Sequence, residues 1–145
     1  MFLIDTNVIS ELRKPGPHLG VLAWFENARE KDLHLLAITL GELQAGVEIT
    51  RGQDPAKAAE IEAWIDRVAE TWNVLALDAA VCRCWARLMH KRQDDLLQDA
   101  MIAATAQVHG LTVVTRNLRD FNVFNVPVLD PFRPHPSSPV PKAAA

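Results

Sequence analysis

Four side chains carry the chemistry that this sequence can offer: Asp5, Glu42, Asp99 and Asn117. Each stands beside a short apolar run or at the start of a helix-like stretch. Phe2-Leu3-Ile4 runs straight into Asp5, and polar Thr6 and Asn7 follow where the chain turns. An apolar run this short reads as a buried strand. Taken alone, Asp5 is most simply the N-cap of the next helix, a position that favours aspartate. Glu42 has an equally plain local role, because Thr39-Leu40-Gly41-Glu42 has the Thr-x-x-Glu spacing of a capping box. In isolation Asp99 also reads as an N-cap, and Asp120 as a solvated loop acid. Their joint placement changes that reading.

In an open parallel sheet, right-handed crossovers bring the carboxyl ends of the strands to one edge, where ligands gather. Asp5 ends the first run, and Glu42 lies four residues past a second, residues 33–38. Asn117 and Asp120 follow another at residues 111–115, and Asp99 opens the helix at 100–109 that leads into it. A helix preceding a parallel strand starts near the same edge. Three carboxylates and an amide are therefore expected in one crevice. Unopposed, such acids repel and some protonate; a divalent cation removes the conflict. Donors that are all oxygen favour Mg²⁺ or Mn²⁺ over Zn²⁺. The histidines, at 18, 34, 90, 109 and 135, are scattered without ligand spacing.

The elements that must position these groups follow from periodicity and punctuation. After the first strand come a short helix at 8–12, stopped by Pro15-Gly16-Pro17, and an amphipathic helix at 18–30. A helical hairpin is expected from Thr39 to Gly52 and onward from Asp54-Pro55, with proline in the first turn. A third strand at 73–77 ends on Asp78, and a helix follows at 79–91. After a polar connection at 93–98, the alanine-rich helix at 100–109 is closed by Gly110. Residues 116–121 read as a loop, and 126–129 as a weak edge strand because of Pro127. The alternation specifies an α/β fold with a central, mostly parallel sheet of four to five strands flanked by helices. Residues 1–132 form one domain. Residues 133–145, rich in proline and alanine, read as a disordered tail.

The chain of 145 residues is 49% apolar and 23% charged, with a formal net charge of −3. No global basic field points to nucleic acid, so any such contact must come from local clusters. No run of ~18 apolar residues exists to cross a membrane, and the N-terminus lacks the basic and apolar regions of a signal peptide. Cys82 and Cys84 are too few for a structural zinc site and suit a reducing, cytoplasmic setting.

At this point the motifs resemble a known family. Ile4-Asp5-Thr6-Asn7-Val8-Ile9-Ser10-Glu11 resembles the opening motif of PIN-domain ribonucleases, in particular the VapC-type toxins of bacterial toxin–antitoxin pairs. Ile38-Thr39-Leu40-Gly41-Glu42-Leu43-Gln44-Ala45-Gly46 is similar to their second motif, and Asp99 to Ala106 to their third. Val114-Thr115-Arg116-Asn117-Leu118-Arg119-Asp120-Phe121 resembles the fourth. The resemblance covers roughly residues 1–132. It implies a PIN-like fold and a Mg²⁺- or Mn²⁺-dependent endoribonuclease, homodimeric and restrained by a cognate VapB-type antitoxin. By position, Asp5 and Asp99 match the main metal ligands and Glu42 a further one. Asn117 falls where many relatives carry a fourth acid, and Asp120 lies three residues on. Arg13, Lys14, Arg116 and Arg119 are candidates to meet RNA phosphates. The alternative is a non-catalytic PIN scaffold that binds RNA or a protein partner. A haloacid-dehalogenase-type phosphotransferase with Asp5 as nucleophile ranks below both, since that chemistry wants an acid where Asn7 stands.

Overall fold

The computed structural model describes residues 1–133. The expected tail at 133–145 therefore falls, from residue 134 on, outside the described residues. Among the described residues, the strands are β1 (Phe2–Ile4), β2 (Leu33–Leu36), β3 (Asn73–Leu75), β4 (Thr112–Val114) and β5 (Val128–Leu129). They form one sheet in the order β3-β2-β1-β4-β5, every pairing parallel. The mostly parallel sheet of four to five strands is thus realised as five strands, all parallel, with β5 at an edge as Pro127 implied.

The order has a functional consequence. From β1 the chain builds outward through β2 and β3, then returns to the far side of β1 for β4 and β5. β1 and β4 are therefore neighbours across the point where winding reverses, and the crevice outside their carboxyl ends is the natural ligand site of such a sheet.

Side chains alternate across the strands with period two and feed two cores. Leu3, Leu36 and Val113 face one side, against Ala100, Ile102, Ala103 and Ala106 of α6 (Leu97–His109), with Phe121 and Phe124. The alanines let this helix approach the sheet closely. Ile4, Leu33, Leu35 and Val114 face the other side, against Val8, Ile9, Val21 and Val68. Those residues come from α1 (Thr6–Ile9), α2 (Leu19–Asn27) and α4 (Pro55–Thr71). α4 packs on α3 (Ala37–Arg51) around Val47, Ala58 and Ile65, which is the expected hairpin. Asp54 caps α4 through Lys57 N (3.1 Å), and Asp78 caps α5 (Ala79–Met89) through Val81 N (3.0 Å). Gly110, at φ +66°, closes α6 in the left-handed conformation that glycine adopts without cost.

Four local expectations are corrected. The first helix starts at Thr6, directly after Asp5, and passes into a 3₁₀ turn at Ser10–Arg13. β2 ends at Leu36, so α3 begins at Ala37 and its cap position is Leu36. Thr39 is therefore a fully buried residue inside the helix rather than the cap, and there is no Thr39–Glu42 capping box. The apolar run at 33–38 hid this boundary, because a buried strand and the buried start of a helix have the same composition. α6 likewise starts at Leu97, which places Asp99 inside its first turn and not at its cap. Residues 116–121 are not all loop, since Leu118–Asn122 form a short helix, α7.

Candidate active site

Asp5 terminates β1 and is held by three donors. Its Oδ1 accepts from Thr6 N at 2.7 Å, and its Oδ2 from Thr115 Oγ1 at 2.8 Å and Asn7 Nδ2 at 3.2 Å. The capping role and the site role therefore coexist: one oxygen serves the helix start while the other joins β1 to the end of β4. Thr115 is completely buried and is the hub of this junction. Its hydroxyl donates to Asp5 and accepts from Asn117 N at 3.0 Å. Asn7 completes the lattice, with Oδ1 accepting from Arg116 N at 3.3 Å. Sequence reasoning missed Thr115. Its hydroxyl has meaning only because β4 lies beside β1, and strand order is not written in local pattern.

Asp5 is 6% exposed, and burial raises its pKa; the hydrogen bonds from Thr115, Thr6 and Asn7 oppose that rise. Glu42 is the sixth residue of α3 and half-buried. Its pKa is also raised, first by burial and then by the charge of Asp5. The Thr6 hydroxyl next to it works in the opposite direction, yet its oxygen is enclosed and stops short of a full hydrogen bond among the described residues. Asp99 is pushed up to about 6, first by burial, then by the charges of Asp5, Asp120, Glu42 and Asp95. Of the acids expected in one crevice, Asp5 and Glu42 both act on Asp99 through their charge.

The fourth position divides between two residues. Asn117 is exposed at the start of α7, and its side chain makes no hydrogen bond among the described residues. Asp120, one turn on, is exposed as well, but its charge reaches Asp99. Beside the acids runs a groove of about 380 Å³ between α3, α4 and the 3₁₀ turn, sharing Thr6 and Glu42 with the site.

The donor set is oxygen throughout. Among the described residues, no three histidine, cysteine, aspartate or glutamate side chains are gathered tightly enough to chelate an ion by themselves. Mg²⁺ usually keeps several waters and takes only one or two carboxylates, so a pair of these acids would be enough to hold it. The enclosed and unpaired Thr6 hydroxyl is a ready partner for such a water.

A family model described as the PIN domain matches residues 2–125. The chain is 34% identical over 145 residues to the VapC ribonuclease Y4jK of Sinorhizobium fredii, covering 92% of this chain and 99% of that one. It superposes with a TM-score of 0.83 on the crystal structure of FitAcB from Neisseria gonorrhoeae, at 32% identity over 91% of this chain and 99% of the other. A toxin–antitoxin complex from Klebsiella pneumoniae matches with a TM-score of 0.69 and 26% identity, covering 90% and 98%. Among the described residues, no helix is long and apolar enough to cross a membrane.

Proposed function

Because the chain belongs to the PIN domain family, we propose that it is an endoribonuclease, the toxin of a toxin–antitoxin pair, which uses Mg²⁺ or Mn²⁺ to hydrolyse RNA phosphodiester bonds. The ribonuclease and the pairing with an antitoxin rest on full-length similarity to a VapC ribonuclease and on the fold shared with toxin–antitoxin complexes. The metal rests on the acids themselves. The observation that carries it is Asp99, whose pKa is driven to about 6 by burial and by neighbouring carboxylates. Repulsion among carboxylates raises their pKa values, and a bound cation would relieve it. Two free thiols, one exposed at Cys82 and one buried at Cys84, fit a reducing cytoplasm.

Asp5 and Asp99 would hold the ion, with Glu42 and the Thr6 hydroxyl engaging its waters. When bound, the ion activates a water and neutralises charge on the phosphate. Glu42, half-buried and with a raised pKa, is suited to accept the proton of the attacking water. Thr115 and Asn7 fix Asp5 so that its oxygens need no reorientation during the reaction. Asn117 and Asp120 stand exposed at the start of α7, Asp120 supplying the charge that Asn117 lacks.

The test is cleavage of mixed cellular RNA by the purified chain with Mn²⁺, with Mg²⁺, and with a chelator. Cutting that needs the ion and disappears in Asp5→Ala is expected. RNA left intact by wild type and variant alike would sink the reading, and cutting that persists in chelator would remove the metal from it.

A further inference from the structure

Arg13, Arg116 and Arg119 have no ion-pair partner among the described residues, and the first two are seated on aromatic rings. Arg13 ends the 3₁₀ turn and lines the 380 Å³ groove together with Thr6, Glu42, Lys57 and Trp64. Its guanidinium lies over the Trp64 ring, 5.3 Å from the centroid. Its Nε is enclosed and makes no hydrogen bond among the described residues. Arg116 follows β4, its backbone N–H bonded to Asn7 Oδ1, with its guanidinium 4.5 Å above the ring of Phe132.

The second mount is itself built with care. Phe132 N donates to Asp130 Oδ1 at 2.9 Å, and the His18 ring packs against the phenyl at 5.1 Å. The carbonyl of Pro131 passes so close to α2 that a Cβ on Gly20 would lie 2.7 Å from it. Only glycine allows that crossing. Asp130, the acid nearest this mount in sequence, is paired instead with Arg133 at 3.4 Å. Both guanidinium groups are thus seated on aromatic faces, and their N–H edges are left without an acid.

A seated guanidinium loses less freedom when it binds, and its planar fork matches two phosphate oxygens. An aromatic face occupied by arginine is not free to stack a base. The contact is then to backbone, which positions a strand without reading its sequence. We propose that Arg13 and Arg116 are the phosphate contacts that hold a single RNA strand across the acidic site. Arg13 grips it on the α3–α4 side and Arg116 on the β4–α7 side. The inference rests on the ribonuclease reading and adds the path of the substrate.

Binding of a short fluorescent single-stranded RNA, measured against NaCl concentration in an Asp99→Asn background that leaves the RNA intact, tests it. Arg13→Ala and Arg116→Ala are each expected to weaken binding about tenfold. Each should also flatten the slope of log affinity against log salt by about 0.7, and the double variant by about 1.4. Arg13→Lys and Arg116→Lys should keep the slope and lose part of the affinity, because the charge remains and the fork is gone. Phe132→Leu should weaken binding alone and add nothing on top of Arg116→Ala, as a positioning residue requires. The losses should be equal for oligo-U and oligo-A. An unchanged salt slope in both alanine variants overturns the proposal, as does a loss confined to one base. So does RNA binding that is kept while binding of poly-glutamate is lost, which would assign the arginines to an acidic protein segment. Cleavage by the otherwise wild-type enzyme separates the two levels. If the wild type cuts RNA and the alanine variants cut it with the same KM, only this inference falls; if the wild type neither binds nor cuts RNA, both readings fall.

Discussion

Replacing Thr115 by valine keeps the side-chain shape and removes one hydroxyl, the one that joins Asp5 to β4. In the structure that hydroxyl donates to a buried carboxylate at 2.8 Å and accepts from Asn117 N at 3.0 Å. A hydrogen bond to a charged group contributes about 1.5–3 kcal/mol, and the added buried methyl returns about 0.8 kcal/mol. The net loss is about 1–2 kcal/mol, a fall in Tm of roughly 2–8 °C for a domain of this size. The loss also has a pH signature. Thr115 is the foremost group lowering the pKa of Asp5, so the variant raises that pKa further. The penalty falls on the charged carboxylate, and so the difference between variant and wild type should shrink as pH drops and Asp5 protonates. Calorimetry of the two proteins at neutral and acid pH reads both effects. Thr115→Ser, which keeps the hydroxyl, should retain most of the stability. Activity should fall about 10–100-fold, as for other residues that orient a metal ligand. A valine variant that melts with the wild type at neutral pH, while the serine variant does too, would refute the idea that this bond holds Asp5 in place.

Asp99→Asn should abolish RNA cleavage yet stabilise the metal-free protein at neutral pH, because it removes the carboxylate that burial and four acidic neighbours penalise; thermal melts beside cleavage assays check both. The folded-state pKa of Asp99 lies above its unfolded value, so its favourable contribution is fully present below about 3.8 and is lost as pH rises through about 6. The shift corresponds to ~3 kcal/mol, which screening of the half-exposed carboxyl reduces to about 1 kcal/mol. Metal-free Tm should therefore decline between about pH 4 and pH 6. Added Mn²⁺ should reverse the decline by binding the folded state, and a melt that ignores both pH and metal would contradict the electrostatic picture. Gly20→Ala should cost about 1–3 kcal/mol by driving a Cβ against the Pro131 carbonyl. It should also weaken RNA binding by unseating Phe132 from beneath Arg116, whereas loss of stability with RNA affinity intact would show the mount to be structural only.

Much of the fold could be read from the chain alone. The apolar runs and their punctuation placed all the described strands, the helical hairpin, the helix start at Asp54-Pro55 and the glycine stop at Gly110. Those features depend on contacts within a few residues, where composition and period are sufficient evidence. That Asp5 and Glu42 act on Asp99 through their charge agrees with the single edge that a parallel sheet allows for the carboxyl ends of its strands. Boundaries inside apolar stretches were not legible, and so Thr39 passed for a cap when it is a buried helical residue.

Tertiary structure decided what depends on which strands become neighbours. Only the order β2-β1-β4 puts the Thr115 hydroxyl against Asp5, and only the packing of α7 brings the charge of Asp120 to Asp99 while leaving Asn117 at the rim. The seating of Arg13 on Trp64 and of Arg116 on Phe132 joins residues far apart in the chain. Local sequence names the groups that can do chemistry, since their types and spacing are local properties. Long-range packing sets the field in which they work, because burial and charge act through space and take no account of position along the chain.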